Sequence, residues 1–233
     1  MLNIYRYIFN IVFLIFLFSG VTEAQSKESQ PVEEKKDTVS GPFFQGFRIE
    51  TDIVPLVTTI AGSDTYNYEA AIQFYLRNNL YPAFEAGFGG ADKTLYSGIN
   101  FKGSGLYYRL GTDFNLMKSK PGGKMNNNLL LVGARLGFSG FGYDLNNLTV
   151  PGNYWNETIK KDLTDQNFFG MWLELGASLR VELSKNIFIG WNIRTKNLLL
   201  KPDTGDYKPW YIPGYGITDD TSFGFNYLIG YKF

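Results

Sequence analysis

Residues 106–116 read Leu106-Tyr107-Tyr108-Arg109-Leu110-Gly111-Thr112-Asp113-Phe114-Asn115-Leu116. Leu106, Tyr108, Leu110, Thr112, Phe114 and Leu116 share one parity, and Tyr107, Arg109, Gly111, Asp113 and Asn115 share the other. A helix, with its period of 3.6, would mix the two sets. An extended strand sends them to opposite faces.

The same period of two recurs on both sides of this stretch. Leu130, Val132, Ala134, Leu136 and Phe138 alternate with Leu131, Gly133, Arg135, Gly137 and Ser139. From Met171 to Leu183 an apolar row alternates with Trp172, Glu174, Gly176, Ser178, Arg180 and Glu182. Ile187, Ile189, Trp191 and Ile193 alternate with Phe188, Gly190, Asn192, Arg194 and Lys196. Shorter or earlier runs follow the rule at Phe47–Ile53, Tyr66–Arg77 and Phe84–Phe88, and the last runs from Phe223 to Phe233. The pattern predicts eight strands and no helix after the N-terminal region, with Pro55 marking a bulge in the first strand.

Alternation alone fits a sandwich with one wet face or a closed barrel. The polar rows separate the two. They combine glycine with full charges: Arg48, Arg77, Arg109, Arg135, Arg180, Arg194, Lys196 and Lys232 against Glu50, Asp52, Glu69, Glu85, Asp113, Glu174 and Glu182. Near-balance is what a narrow interior needs, because a buried unpaired charge costs several kcal/mol. The opposite rows carry large apolar and aromatic residues, which suits an outward surface in lipid with aromatic girdles. The fold expected is therefore all-β, a closed antiparallel eight-stranded transmembrane β-barrel over residues 44–233, its lumen filled by ion pairs.

Connections of unequal length agree. Asn78-Asn79 and Ser184-Lys185-Asn186 are short, whereas 89–103, 143–167 and 197–221 are long. Short turns on the periplasmic side and long loops outside are the outer-membrane pattern. The connections 60–65 and 118–127 fit it less well.

The N-terminal 24 residues have one early cation, Arg6, an apolar run from Ile8 to Phe18 and small residues before Ala24. That is the layout of a cleaved secretory signal peptide. Residues 25–43, rich in Ser, Lys, Glu and Pro at their start, read as a flexible periplasmic leader. Within it Asp37-Thr38-Val39 resembles a site for O-linked glycan in exported Gram-negative proteins.

Composition excludes much chemistry. The 233 residues contain 22 Lys+Arg, 22 Asp+Glu, no Cys and no His. Zero net charge leaves no footprint for nucleic acid. Without His or Cys there is no Ser-His-Asp triad, no thiol nucleophile, no disulfide and no His-ligated metal. No cofactor motif is present, and Asp162, Asp165, Asp219 and Asp220 lack the dense oxygen spacing of a calcium loop.

Counting back from Phe233, the residues Tyr231, Ile229, Tyr227 and Phe225 continue one apolar face. This ending resembles the C-terminal signature of Gram-negative outer-membrane barrels that the barrel-assembly machinery recognises. With Trp191-Asn192-Ile193-Arg194 and Pro209-Trp210-Tyr211-Ile212-Pro213-Gly214-Tyr215-Gly216, it also resembles a family of small outer-membrane barrels described as a domain of unknown function. The resemblance covers residues 44–233. It implies location and architecture and carries no activity.

Four functions remain open at this level. A non-enzymatic barrel would stabilise the envelope or meet an external partner through Tyr154, Trp155, Trp210, Tyr211 and Tyr215, although these aromatics, Trp210 and Tyr211 above all, could instead belong to the interfacial girdle or cap the barrel mouth. An enzyme acting on envelope lipid would need paired carboxylates such as Glu50 with Glu69. An open pore needs about 16 strands. A soluble lipocalin-like binder of an apolar ligand would place aromatics inside and charges outside.

Overall fold

A computed structural model describes residues 42–117, 128–151, 158–200 and 208–233. Strand β1 (Phe44–Asp52) leads to helix α1 (Val54–Ile60). Strands β2 (Thr65–Leu76), β3 (Leu80–Thr94), β4 (Asn100–Asn115), β5 (Leu129–Pro151), β6 (Thr158–Ser184) and β7 (Ile187–Leu200) follow. A two-residue pair, β8 (Tyr211–Ile212) and β9 (Gly216–Ile217), precedes β10 (Thr221–Lys232). The long strands form one closed antiparallel ring in the order β1-β10-β7-β6-β5-β4-β3-β2. Eight strands thus close on themselves, and the small β8–β9 hairpin stands apart.

The alternation sets the faces as the sequence suggests. On β4, Leu106, Tyr108, Leu110 and Phe114 are exposed, as is Leu116 just after it, while Tyr107, Arg109, Asp113 and Asn115 are buried. The same division holds for Leu175 against Trp172, Glu174 and Arg180, and for Trp191 and Ile193 against Asn192 and Arg194. Large outward apolar residues continue through Phe225, Ile229, Tyr231 and Phe233. This is the architecture of an outer-membrane β-barrel, and the reverse of a soluble barrel that carries a ligand inside.

The turns are built by residues that tolerate left-handed backbone. Asn78 and Asn79 have φ of 71° and 59°, and Asn186 has φ of 67°. Asparagine adopts this region more readily than branched or bulky residues. At the same end Phe233 stacks on Phe47 with centroids 4.9 Å apart, and its N–H donates to the Phe47 carbonyl at 2.9 Å. The ring is thereby clasped where the first and last strands meet.

Three expectations need correction. Pro55 makes no bulge: β1 stops at Asp52 and the chain turns into α1, with Pro55 in its first turn. Proline lacks the N–H a strand would need, and its fixed φ suits a helix start. The connection after β3 is also shorter than 89–103, because pairing runs to Thr94↔Asn100 and leaves only residues 95–99. Likewise 143–167 is mostly strand, with shifts of register at Tyr143/Leu145 and Leu145/Leu148. Alternation is broken at those shifts, so periodicity underestimates the strands. The expectations for 1–24, Thr38, the connection 118–127, Tyr154 and Trp155 lie outside the described residues.

Candidate functional site: the filled lumen and its cap

Strand parity delivers the charges to the axis. At the middle, Glu85 of β3 meets three arginines. Arg109 Nη1 lies 2.5 Å from Oε2, Arg194 Nη1 2.7 Å from the same oxygen, and Arg135 Nε 2.7 Å from Oε1. Arg109 also reaches Glu69 at 2.9 Å and Glu174 at 3.0 Å, and Arg194 reaches Glu174 at 3.1 Å. Arg135 forks onto Asp113, with contacts of 3.1 and 2.8 Å. Planar guanidinium groups suit such shared carboxylates, because each offers five donors in a fixed plane.

A second group sits toward the short-turn end. Glu50 is held by Arg48 at 2.6 Å and by both Nε and Nη2 of Arg180, at 2.6 and 3.0 Å. Arg48 further donates to Tyr75 at 2.6 Å and to Gln73, and its guanidinium lies 5.4 Å from the ring centres of Tyr75 and Phe188. Gln73 donates to Asp113 at 2.6 Å and so joins the two groups. Below them Tyr75, Tyr81, Leu129 and Leu131 close that end as a small apolar cluster.

The other end is closed differently. The β8–β9 hairpin folds into the mouth, so that Tyr211, Ile212 and Tyr215 are buried with Phe101, Tyr107, Phe141, Tyr143 and Trp172. Its tip is gripped from below. Lys196 Nζ donates to the carbonyls of Gly214 and Tyr215 at 2.8 and 3.1 Å, and Arg109 Nη2 donates to Gly214 at 3.3 Å. Gly214 has φ of 77°, and a Cβ there would lie 2.5 Å from the Tyr107 ring. Both the backbone and the space demand glycine. Trp172 meets Tyr215 edge-on at 5.8 Å, and its indole N–H donates to Glu174 at 2.7 Å. Tyr107 hydroxyl donates to Glu69 at 2.8 Å. Polar tips of the cap aromatics thus bond to the ion pairs beneath, while their rings pack above.

A family model described as Domain of unknown function (DUF6048) matches residues 4–233. The chain belongs to this family. No curated protein matches the sequence. Two solved structures are similar to this DUF6048 chain. One is Ail, the attachment invasion locus protein of Yersinia pestis, in complex with the heparin analogue sucrose octasulfate. It shares 10% identity and a TM-score of 0.38 over 81% of this chain and 94% of its own. The other is a major outer membrane protein from Thermus thermophilus, with 12% identity and a TM-score of 0.44 over 81% of this chain and 100% of its own.

Within the DUF6048 barrel most of the charges read from sequence do come together, and a few do not. Arg77 is exposed, at the β2–β3 turn rather than in the lumen. Alternation carried one residue too far assigned it inward. Asp52 is buried and held by hydrogen bonds to neutral groups: it accepts from Asn226 Nδ2 at 2.5 Å and from the N–H groups of Tyr227 and Val54, each at 3.1 Å. Glu182 is only half-buried and accepts from the Asn186 N–H at 3.1 Å, so it serves the turn. Lys232 lies 4.4 Å over the Tyr75 ring. Tyr211 and Tyr215 are cap residues rather than exposed binding groups, and Trp210 is half-buried, 5.1 Å beneath the ammonium of Lys93.

Burial pushes the phenols of Tyr211 and Tyr215 up to about 12, and Asp219 and Asp220 add to the rise at Tyr215. A raised folded value means that this contribution to stability is complete below the usual phenol range and is lost as pH climbs from about 10 to about 12. In an ultraviolet titration, Tyr211→Phe and Tyr215→Phe are each expected to remove one late-titrating phenol relative to the parent protein. A phenol lost near the ordinary value would contradict a docked cap.

Proposed function

We propose that the chain is an outer-membrane barrel of a Gram-negative bacterium, exported by its signal peptide and built by the barrel-assembly machinery through Phe225, Tyr227, Ile229, Tyr231 and Phe233. Its role is structural or binding at the long-connection end, without catalysis and without an open pore. One observation carries this reading: the lumen is occupied from the Tyr75–Leu131 cluster, through the arginine–carboxylate groups, to the hairpin gripped by Lys196. An eight-stranded interior has room for its own side chains and little else.

Glu50 and Glu69, the pair considered for acid–base work, are engaged separately. Glu50 is held by Arg48 and Arg180, and Glu69 by Arg109 and Tyr107. Each carboxylate is neutralised by a structural partner, which supports ion-pair duty over proton transfer.

The binding reading rests on the β5–β6 ribbon. β4 last pairs with β5 at Asn100↔Asn146, and β7 last pairs with β6 at Leu200↔Met171. Beyond those points β5 and β6 pair only with each other among the described residues, out to Pro151↔Thr158. Lys160, Lys161, Asp162 and Asp165 lie on this projection, and all four are exposed. Such a projection is where an extracellular partner would meet the chain.

Planar-bilayer recording of the refolded protein is expected to show no steady conductance, and the unboiled protein is expected to migrate as a distinct folded band in detergent gels. Steady large openings would contradict the filled lumen. A single band unaffected by boiling would contradict the barrel in detergent.

A further inference from the structure

We propose that the barrel wall carries a lateral lipid site beneath α1, which takes one acyl chain of an outer-leaflet lipid. The wall is incomplete there. β1 pairs with β10 only from Arg48↔Lys232 to Asp52↔Leu228, and with β2 only as far as Thr51↔Ala70. One further bond, Ile53 N–H to the Tyr227 carbonyl at 3.0 Å, ends the seam. Beyond it, among the described residues, Thr65–Glu69 of β2 pair only with β3, and Thr221–Asn226 of β10 pair only with β7. Two facing strand edges are therefore left open, and α1 fills the place where β1 would have continued.

Asp52 forms the floor of this gap through its bonds to Asn226, Tyr227 and Val54. Above it lies a cavity of about 300 Å³ lined by Thr51, Asp52, Leu56, Tyr68, Glu69, Ala70 and Ala86. That volume is at the lower end of the range for small-ligand sites. Ala70 stands opposite Ala86 in the register, and Ala86 opposite Tyr108, so small side chains are bounded by larger ones. No residue of α1 is buried, and Leu56, Val57 and Ile60 are exposed beside the outward apolar rows.

Depth and continuity select the occupant. An apolar band about 25 Å tall, crossed by tilted strands, takes up roughly ten residues of each strand. Counting from the Leu76 end of β2 places Tyr66 and Tyr68 near the far edge of that band, level with the gap. Open sheet edges are not tolerated in bare hydrocarbon. At that level a lipid supplies an acyl chain for the apolar lining, and its ester or hydroxyl oxygens are acceptors for edge N–H groups that no neighbouring strand takes. The lumen offers no competing occupant, because Glu69 is closed off by Arg109 and Tyr107 and Asp52 by Asn226.

The site rests on the membrane reading above, and the test separates the two. The full chain is refolded into phosphatidylcholine vesicles containing a phosphatidylcholine with a photoreactive diazirine in one acyl chain. After illumination, labelled peptides are mapped by mass spectrometry for the parent protein and for Ala70→Phe, Ala86→Phe and the control Ala134→Phe, whose residue lies on the outward row of β5. Labelling is expected to concentrate at Leu56, Tyr68, Ala70 and Ala86, to fall about tenfold when Ala70 or Ala86 is enlarged, and to stay unchanged in the control. Flotation and the folded gel band report insertion of each variant. If every protein inserts and labelling is even around the outward rows, or is unmoved by filling the cavity, the lipid site is overturned alone. If no protein floats with the vesicles, the membrane reading falls and the site with it.

Discussion

Glu85→Gln is expected to destabilise the barrel by about 3–5 kcal/mol, the usual cost of removing one partner from a buried charge group. Glu85 is almost fully buried, 2% exposed, and is the one described carboxylate in contact with Arg109, Arg135 and Arg194 together. Its neutral amide would leave one weaker acceptor oxygen for the three guanidinium groups and would turn its two hydrogens toward cations. The remaining anions, Glu69, Asp113 and Glu174, are already committed to Arg109, Arg135 and Arg194. Urea titration in vesicles, followed by the folded gel band, should show a lower midpoint with an unchanged slope. Adding Arg135→Gln to Glu85→Gln should recover part of the loss, because it removes one of the stranded cations; coupling of about 0.5–3 kcal/mol is the scale for contacting groups. Arg77→Gln, at an exposed turn, should stay within about 0.5 kcal/mol of the parent protein. A Glu85→Gln barrel as stable as its parent would mean that lumen water solvates the arginines and that Glu85 does not organise them.

That contrast between Glu85 and Arg77 also marks how far the sequence could be read. Both sit in alternating charged rows, and parity alone gave them the same address. What separates them is the turn: Asn78 and Asn79 take left-handed backbone and end β2 at Leu76. Parity is reliable in the middle of a strand, where every residue is tied to two neighbours, and fails at the last residue before a turn. The closed ring, the outward row through Leu110 and Phe114, and the inward arginines were all legible for this reason.

The pairings were not legible, because they depend on register across four or more strands. Glu50 and Arg180 are 130 positions apart, and no local signal joins them. The cap was half legible. Pro213, Gly214 and the aromatics around them announced a rigid turn, but whether it faces solvent or the mouth is decided by Lys196 and Arg109 below it. The inward aromatics Tyr107 and Trp172 were visible in the polar rows, and they were the one signal there that pointed to a packed mouth rather than to charge alone. The gap filled by α1 was hidden for another reason: Pro55 reads equally well as a bulge or as a helix start, and only the early end of β1 distinguishes them.

Trp172→Ala is expected to be comparably damaging, about 3–5 kcal/mol, and to do what Glu85→Gln should not: unseal the lumen. The ring is fully buried, and it fills space that Gly137 leaves free; any Cβ at 137 would overlap it. Removing the indole takes away the edge-on partner of Tyr215 and leaves Glu174 without its 2.7 Å N–H donor. The hairpin tip would keep Lys196 and Arg109 as its polar anchors, above a void continuous with the charged groups. Brief small conductance events, absent from the parent, are the expected sign in planar bilayers. Trp172→Phe separates ring from hydrogen bond: it retains most of the packing and loses only a bond to a charged acceptor, worth about 1.5–3 kcal/mol, so it should weaken the barrel yet keep it silent. If Trp172→Ala is as silent as Trp172→Phe, the seal belongs to the ion pairs below and the hairpin is a lid over a lumen already shut. If both conduct, the indole N–H rather than the ring holds the cap in register over Glu174.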